Sequence, residues 1–369
     1  MALNIAVVGG GHGSYAAAAD LAEQGHEVRM WRRDSEAFRA VLDNQSIVLK
    51  DFKGSRRVPL ALASTDLGAV VRGAQLIVVA LPAVAQASIA KELAPCLSDG
   101  HVIFLPPGTF GSYVMSSELR KAGCLAKVVF AETGTLPYLA RKHGADTVAV
   151  SGRATRLPTG VFPSEQSEAA FRILEEAYPA VERLQDALDG ALMNAGPIIH
   201  PPLILMNAGP IEHFDHWDIH NEGTQPSIRS VHDALDAERI ALREALGYGA
   251  PHFPLKDHYS TDGDEWMYGR RAHEKLVDSS DWREHLDLKT HRYMREDVAC
   301  GLAFLVSLAE WAKVEAPVAR GLLALASAVV GEDFRATGRT VENLGLHRLS
   351  VAEMKNLLRA GVQAEGVHS

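Results

Sequence analysis

The sequence predicts an α/β chain whose first half is a doubly wound parallel sheet and whose second half is helical. Three observations carry that prediction. An apolar run at residues 3–8 stops at three consecutive glycines and leads into an alanine-rich stretch; apolar runs and helical patterns then alternate to about residue 184; from residue 187 long helical patterns dominate. Strand and helix in alternation imply parallel pairing with right-handed crossovers, so the expected domains are residues 1–186 and 187–369.

Residues 3–33 form the organising unit. Leu3–Val8 is short, apolar and partly β-branched, which suits a buried strand; residues 14–24 favour a helix; residues 27–31 resume strand character. The turn between them has the spacing Gly9-x-Gly11-x-x-Ser14. In a dinucleotide-binding βαβ unit of Rossmann type the first glycine makes the tight turn, the second lets a pyrophosphate approach the backbone, and the third position must be small where helix meets strand. Gly9, Gly11, His12, Gly13 and Ser14 are therefore the candidate cradle, with the anion on the free N–H groups of the helix start. The second strand ends in Trp31-Arg32-Arg33-Asp34. Two guanidiniums where an NAD-binding unit usually carries a carboxylate favour the 2′-phosphate of NADP, while Asp34 keeps NAD open.

The remaining strands of the first half are read at residues 47–49, 58–62, 74–81, 101–105, 127–131, 147–150 and 181–184, with helices at 65–73 and 83–97. Ligands of such sheets lie beyond the carboxyl ends of the strands. Leu81, Pro82, Pro107 and Gly108 are thus candidate cofactor contacts, and Glu132 reaches the same edge.

In the second half, Leu-Met-Asn-Ala-Gly-Pro-Ile occurs at 192–198 and again at 205–211. The reading is one helix interrupted twice, because a proline removes a donor and clashes with the preceding turn. His200 stands between the copies in apolar surroundings. His213, His216 and His220 have helical i, i+3, i+7 spacing that would be compatible with a metal, without a HExxH motif or cysteine set to support one; no metal is expected. Further helices are expected over 231–246, within 285–312, and over 314–330 and 351–358, with a frayed tail at 361–369.

A chain of 369 residues with 47% hydrophobic and 22% charged residues has the make-up of a soluble protein, and a formal net charge of −9 argues against nucleic acid or an anionic membrane as partner. No apolar run approaches the ~18 residues of a membrane span. Cys96, Cys124 and Cys300 are isolated and odd in number, as in a reduced cytoplasmic protein.

The chain resembles the octopine/opine dehydrogenases. The resemblance is carried by GGGHGSYAAAADLAEQGHEV at the start, by LPPGTFGS, by His200-Pro201 with Leu205-Met206-Asn207-Ala208, by Asn221-Glu222-Gly223-Thr224, and above all by Arg292-Tyr293-x-x-Glu296-Asp297-Val298. It implies an NAD(P)H-dependent reductive condensation of an amino acid with a 2-oxo acid. By motif position it implies that His200 is the general acid/base and Asp297 its partner, that Arg292 clamps the oxo-acid carboxylate, that Glu132 and Asn207 lie near substrate, and that a homodimer is possible. Arg292 and Asp297, five apart, stand about 140° apart around an α-helix of ~100° per residue, so they do not project together on one. A glycerol-3-phosphate or hydroxyacid dehydrogenase shares the architecture but often uses a lysine as acid/base, and no suitable lysine lies at 190–215. A dinucleotide-sensing regulator would have no use for His200 and Asp297 converging.

Overall fold

The computed structural model describes residues 2–262, 265–278 and 281–362 and divides the chain into two compact units. The first comprises residues 1–81, 85–191 and the segment from 356 onward; the second comprises 82–84 and 192–355. The boundary therefore falls at 191/192, later than the expected 186. The short helix Ala187–Ala191 belongs with the sheet because Gly160 and Gly190 lack side chains where strand and helix backbones meet: a Cβ on Gly190 would stand 2.6 Å from the Glu132 carbonyl oxygen. The reading of a frayed tail falls almost wholly on residues 363–369, which lie outside the described residues.

Among its described residues the first unit holds twelve strands: β1 (Asn4–Val8), β2 (Glu27–Trp31), β3 (Ser46–Asp51), β4 (Gly54–Pro59), β5 (Leu62–Ser64), β6 (Leu76–Val79), β7 (Val102–Leu105), β8 (Val129–Thr133), β9 (Tyr138–Lys142), β10 (Thr147–Arg153), β11 (Leu157–Phe162) and β12 (Val181–Arg183). Eight form one sheet in the order β12-β11-β8-β7-β6-β1-β2-β5. All its pairings are parallel except β11 against β8. The fold class is as expected, with one antiparallel step. Helix α1 (His12–Glu23) crosses from β1 to β2 on a face of small, buried residues, Ala16–Ala19, that lets it lie close to the strands. Register sets the functional edge: Val8 pairs with Trp31 on one side and Val79 on the other, so Gly9, Arg32 and Ala80 follow strand ends that lie side by side.

Residues 147–150 do not close that sheet. They lie in β10, which joins β3, β4 and β9 in a separate four-stranded sheet of order β4-β3-β10-β9. Residues 58–62 likewise divide between β4 of the small sheet and β5 of the large one. The small sheet packs on α1 through β3, β9 and β10 and brings β9 to the start of that helix.

The second unit is helical: among its described residues the only β pairing is the isolated Trp217–Glu284 bridge. Its centre is α2 (Gly196–Met206) against a ten-residue π-helix, π1 (Tyr293–Leu302), which continues into α3 (Ala303–Ala312). The repeated heptapeptide does not interrupt a helix twice. Pro197 lies in the first turn of α2 and Pro210 in the first turn of the next helix, Ala208–His213, where the missing N–H has no intrahelical partner to lose. Each copy starts a helix, and α2 runs through Pro201 and Pro202 on the strength of its packing.

Candidate active site

In the first unit the glycine turn meets the steric demands of a dinucleotide. Gly9 has φ +130°, a conformation L side chains rarely adopt, and a Cβ there would stand 2.5 Å from Ser14 Oγ. Ser14 fills the third motif position by donating its hydroxyl to the Ala80 carbonyl at 3.1 Å, tying α1 to the end of β6. Gly11 caps α1 with open space where its side chain would be, and α1 has no side-chain cap, so its first N–H groups face an approach left clear for an anion. Gly13 is needed for packing, since its Cβ would stand 2.6 Å from Leu136. His12 Nδ1 accepts from the Lys142 backbone N–H at 2.8 Å and holds β9 at the helix start.

The two arginines part company. Arg32 lies across the turn, where a Cβ on Gly10 would be 2.5 Å from its Cδ, and donates to the Ala37 carbonyl at 2.9 Å and more weakly to the Tyr15 hydroxyl at 3.5 Å. Arg33 points to solvent and pairs with Glu92. Of the strand-end contacts, Leu81 packs over Gly9, Pro82 is exposed, and Gly108 is buried against Glu132 with its carbonyl held by Gln86 at 2.9 Å; Pro107 is half-buried. These residues fit a bound dinucleotide.

Glu132 is engaged with the backbone of the neighbouring helix. It is fully buried on β8, and its carboxylate accepts the N–H groups of Phe110 at 2.6 Å and Ser112 at 3.3 Å together with the Ser112 hydroxyl. The helix Gly111–Lys121 has Phe110 at its N-cap, which offers no side-chain acceptor, and Glu132 supplies one from the neighbouring strand. Asn207 is equally committed: it donates to the carbonyls of Leu203 and Gly223 and accepts from the Trp217 indole at 3.1 Å, which fixes the loop after the Ala208–His213 helix. Both side chains are tied into the framework by these hydrogen bonds.

The second unit brings together the pair ninety-seven residues apart in sequence. His200 Nδ1 lies 2.8 Å from Asp297 Oδ2, with the imidazole mostly and the carboxylate almost wholly buried. Two glycines permit that approach. A Cβ on Gly196 would collide with Asp297 Oδ1, and a Cβ on Gly301 would collide with Pro197, so α2 and π1 touch only because both positions are bare. Tyr293 stacks on the His200 ring with centroids 3.8 Å apart and planes 18° from parallel, while His220 meets its edge at 5.7 Å. An Nδ1–H donated to the carboxylate fixes the tautomer and leaves Nε2 as the atom that exchanges a proton with a ligand. Burial pushes the Asp297 carboxyl up to about 7, with Arg292 pulling it back, and the His200 ring nitrogen 2.8 Å away is placed to share its proton.

Arg292 pairs with Glu296 at 3.0 Å and keeps about half its side chain exposed. The angular conflict between Arg292 and Asp297 disappears because π1 winds with i→i+5 bonds: the wider turn brings residues five apart onto nearly the same face, and Arg292 acts electrostatically on Asp297. Glu296 Oε1 accepts the Ala83 N–H at 3.0 Å, and Arg339 donates to the Ala83 carbonyl at 3.0 Å. Burial pushes the Glu296 carboxyl up while Arg292 pulls it down.

His213 and His216 are exposed and His220 is buried in an irregular loop, so the three imidazoles do not share a helix face. Among the described residues no group of three His, Cys, Asp or Glu could hold a metal ion. Tyr293, Glu296, Gly196 and Gly301 escaped sequence reasoning, although the first two stand inside the Arg292–Asp297 motif.

Two family models match parts of the chain. The family model described as NAD/NADP octopine/nopaline dehydrogenase, alpha-helical domain, matches residues 183–330, and that of the NAD-dependent glycerol-3-phosphate dehydrogenase N-terminus matches residues 4–106. The opine dehydrogenase of Arthrobacter sp. (strain 1C) is 28% identical over 356 residues, covering 95% of this chain and 97% of its own. In fold, the chain is similar to octopine dehydrogenase with NADH and L-arginine (TM-score 0.71, 18% identity, 97% and 98% of the two chains) and to yersinopine dehydrogenase with NADP+ bound (0.66, 16%, 97% and 99%).

Proposed function

We propose that the chain is a member of the octopine/opine dehydrogenase family, NAD(P)-dependent oxidoreductases acting on CH–NH groups, and that its own residues carry the reaction as follows. An amino acid and a 2-oxo acid of pyruvate type lose water to form an imine, and the imine takes up a hydride and a proton to give a secondary amine. When bound, the reduced dinucleotide supplies the hydride; the glycine turn, the α1 N-terminus and Arg32 would hold it.

His200 supplies and removes the protons. As general acid it would donate from Nε2 to the carbonyl oxygen that leaves as water, and in the reverse direction it would accept from the amine nitrogen. Asp297 keeps the ring oriented and stabilises the imidazolium, and Tyr293 holds its plane. Arg292, half exposed beside this pair, is the group we assign to the oxo-acid carboxylate, which a guanidinium can bind through two parallel hydrogen bonds. The 2.8 Å His200–Asp297 contact carries the reading. The position of Arg32 over the turn supports NADP as the preferred nucleotide, while exposed Asp34 leaves NAD usable. Three unbridged cysteines support a cytoplasmic location, and no helix among the described residues is long and apolar enough to cross a membrane.

A panel of amino acids crossed with pyruvate and related oxo acids, followed by absorbance of the reduced nicotinamide and mass analysis of the product, tests the proposal. Oxidation should require both substrates and yield one secondary amine. Equal oxidation with an oxo acid alone would reassign the chain to hydroxyacid chemistry.

A further inference from the structure

A cation that the sequence did not single out stands beside the glycine turn. Lys142 closes β9, with its backbone N–H held by His12, and its ammonium sits 3.7 Å from the centroid of the Tyr15 ring on α1. Tyr15 is fully buried, and its hydroxyl donates to the Ala145 carbonyl at 3.0 Å while receiving the weak Arg32 contact. Lys142 and Arg32 thus converge on one aromatic side chain from two different sheets.

Neither charge is well neutralised by the protein. Among the described residues no carboxylate pairs with the Lys142 ammonium, and Arg32 has only Asp34, at 3.9 Å and largely exposed. Asp34 is itself engaged by the Ala37 N–H at 3.0 Å. Two like charges held near each other at a half-buried spot oppose folding unless an anion joins them. The place is also the end of β2, where a dinucleotide fold puts the adenosine ribose.

We propose that Lys142, its ammonium seated over the Tyr15 ring, is the second cation of a phosphate-monoester site completed by Arg32, and that it selects a nucleotide bearing a 2′-phosphate. The assignment rests on the dinucleotide reading above and adds to it a residue from the small sheet. A phosphate monoester carries close to two negative charges at neutral pH, which two cations match, whereas a ribose hydroxyl offers them nothing. Arg32 can present two parallel N–H groups, and Lys142 adds a compact charge from the other side. Burial and the repulsion of Arg32 bring the ammonium down to about 8, so a dianion would also restore its full protonation.

The test is direct binding, by calorimetry and nucleotide fluorescence, of NADPH, NADH and adenosine 2′,5′-bisphosphate to the full chain. Lys142→Met keeps the apolar stem and removes the charge; Lys142→Arg restores a charge; Arg32→Met is the companion. The expected result for Lys142→Met is about tenfold weaker NADPH and bisphosphate binding, the low end of what a charge-assisted hydrogen bond contributes, with NADH within twofold and Lys142→Arg within threefold of the parent. Equal weakening of NADPH and NADH would place Lys142 at the pyrophosphate or in the framework and overturn the proposal. A silent Lys142→Met beside a selective loss in Arg32→Met would overturn the lysine alone. If both variants leave the NADPH/NADH ratio unchanged, the NADP reading falls and the lysine assignment with it.

Discussion

Asp297→Asn is the substitution whose consequences the geometry specifies most fully. The carboxylate accepts the His200 Nδ1–H at 2.8 Å, and an amide can present its oxygen there without charge or its NH₂ and force the other tautomer. A hydrogen bond to a charged partner contributes ~1.5–3 kcal/mol, which at 1.36 kcal/mol per tenfold is roughly 10- to 150-fold in rate. A catalytic imidazole put into the wrong tautomer loses as much as ~10⁴. We therefore expect kcat for reductive condensation to fall by ~10²–10⁴ with the dinucleotide Kd unchanged, measured from steady-state nicotinamide absorbance and fluorescence titration. The parent's kcat/KM should fall above pH 7 as the shared proton is lost, and that limb should be absent in the variant. The parent's stability falls over the same pH range. The folded value of about 7 lies above the ~3.9 of an unfolded aspartate, so the stabilising proton is fully present below pH 4 and is lost as pH rises through 7. The corresponding ceiling is ~4 kcal/mol, reduced by the imidazole that shares the proton. The melting temperature of Asp297→Asn relative to the parent should rise between pH 5 and pH 8. A variant that keeps more than a tenth of the parent kcat would refute the pairing as the source of catalysis.

Three further outcomes follow from particular contacts. Arg292→Lys should raise KM for the oxo acid ~10-fold or more, with the amino-acid KM and the dinucleotide Kd little changed, because an ammonium cannot reproduce the bidentate fork; initial rates at saturating co-substrate check it. Glu132→Gln should lower stability by ~2–4 kcal/mol through buried N–H groups left poorly matched, with unchanged KM in the fraction that folds, as read by denaturant unfolding beside kinetics. Gly196→Ala should lower kcat at least tenfold by displacing Asp297 Oδ1 from its place beside His200, with the dinucleotide Kd unchanged, as read by steady-state kinetics beside fluorescence titration.

Legibility in the sequence tracked the range of the interactions. β1, α1 and β2 are contiguous, and the tight turn at Gly9 and the open helix start at Gly11 answer local demands, so those roles are readable from spacing, whereas Gly13 answers to Leu136 far along the chain. The small sheet was not, because β10 pairs in parallel with β3 across about a hundred residues and nothing in its alternation says which sheet will take it. Lys142 was invisible for the same reason: its place beside Tyr15 depends on that pairing. Resemblance named His200, Asp297 and Arg292, but the mutual geometry depends on π-helical winding, whose five-residue stacking leaves no hydrophobic period distinct from an α-helix at this length. Glu132 and Asn207 are hard to read because a polar residue at a strand or helix end looks alike whether it meets a ligand or an unpaired backbone group. Here the N-cap at Phe110 and the carbonyls of Leu203 and Gly223 took them.

The central claim is that His200 moves the proton in a reaction whose hydride donor is bound elsewhere. Measuring turnover and dinucleotide affinity together in His200→Ala tests it most directly. Turnover should fall by ~10²–10⁴, the usual share of general acid–base catalysis, while the dinucleotide Kd stays within twofold. Turnover kept within threefold of the parent would contradict the claim.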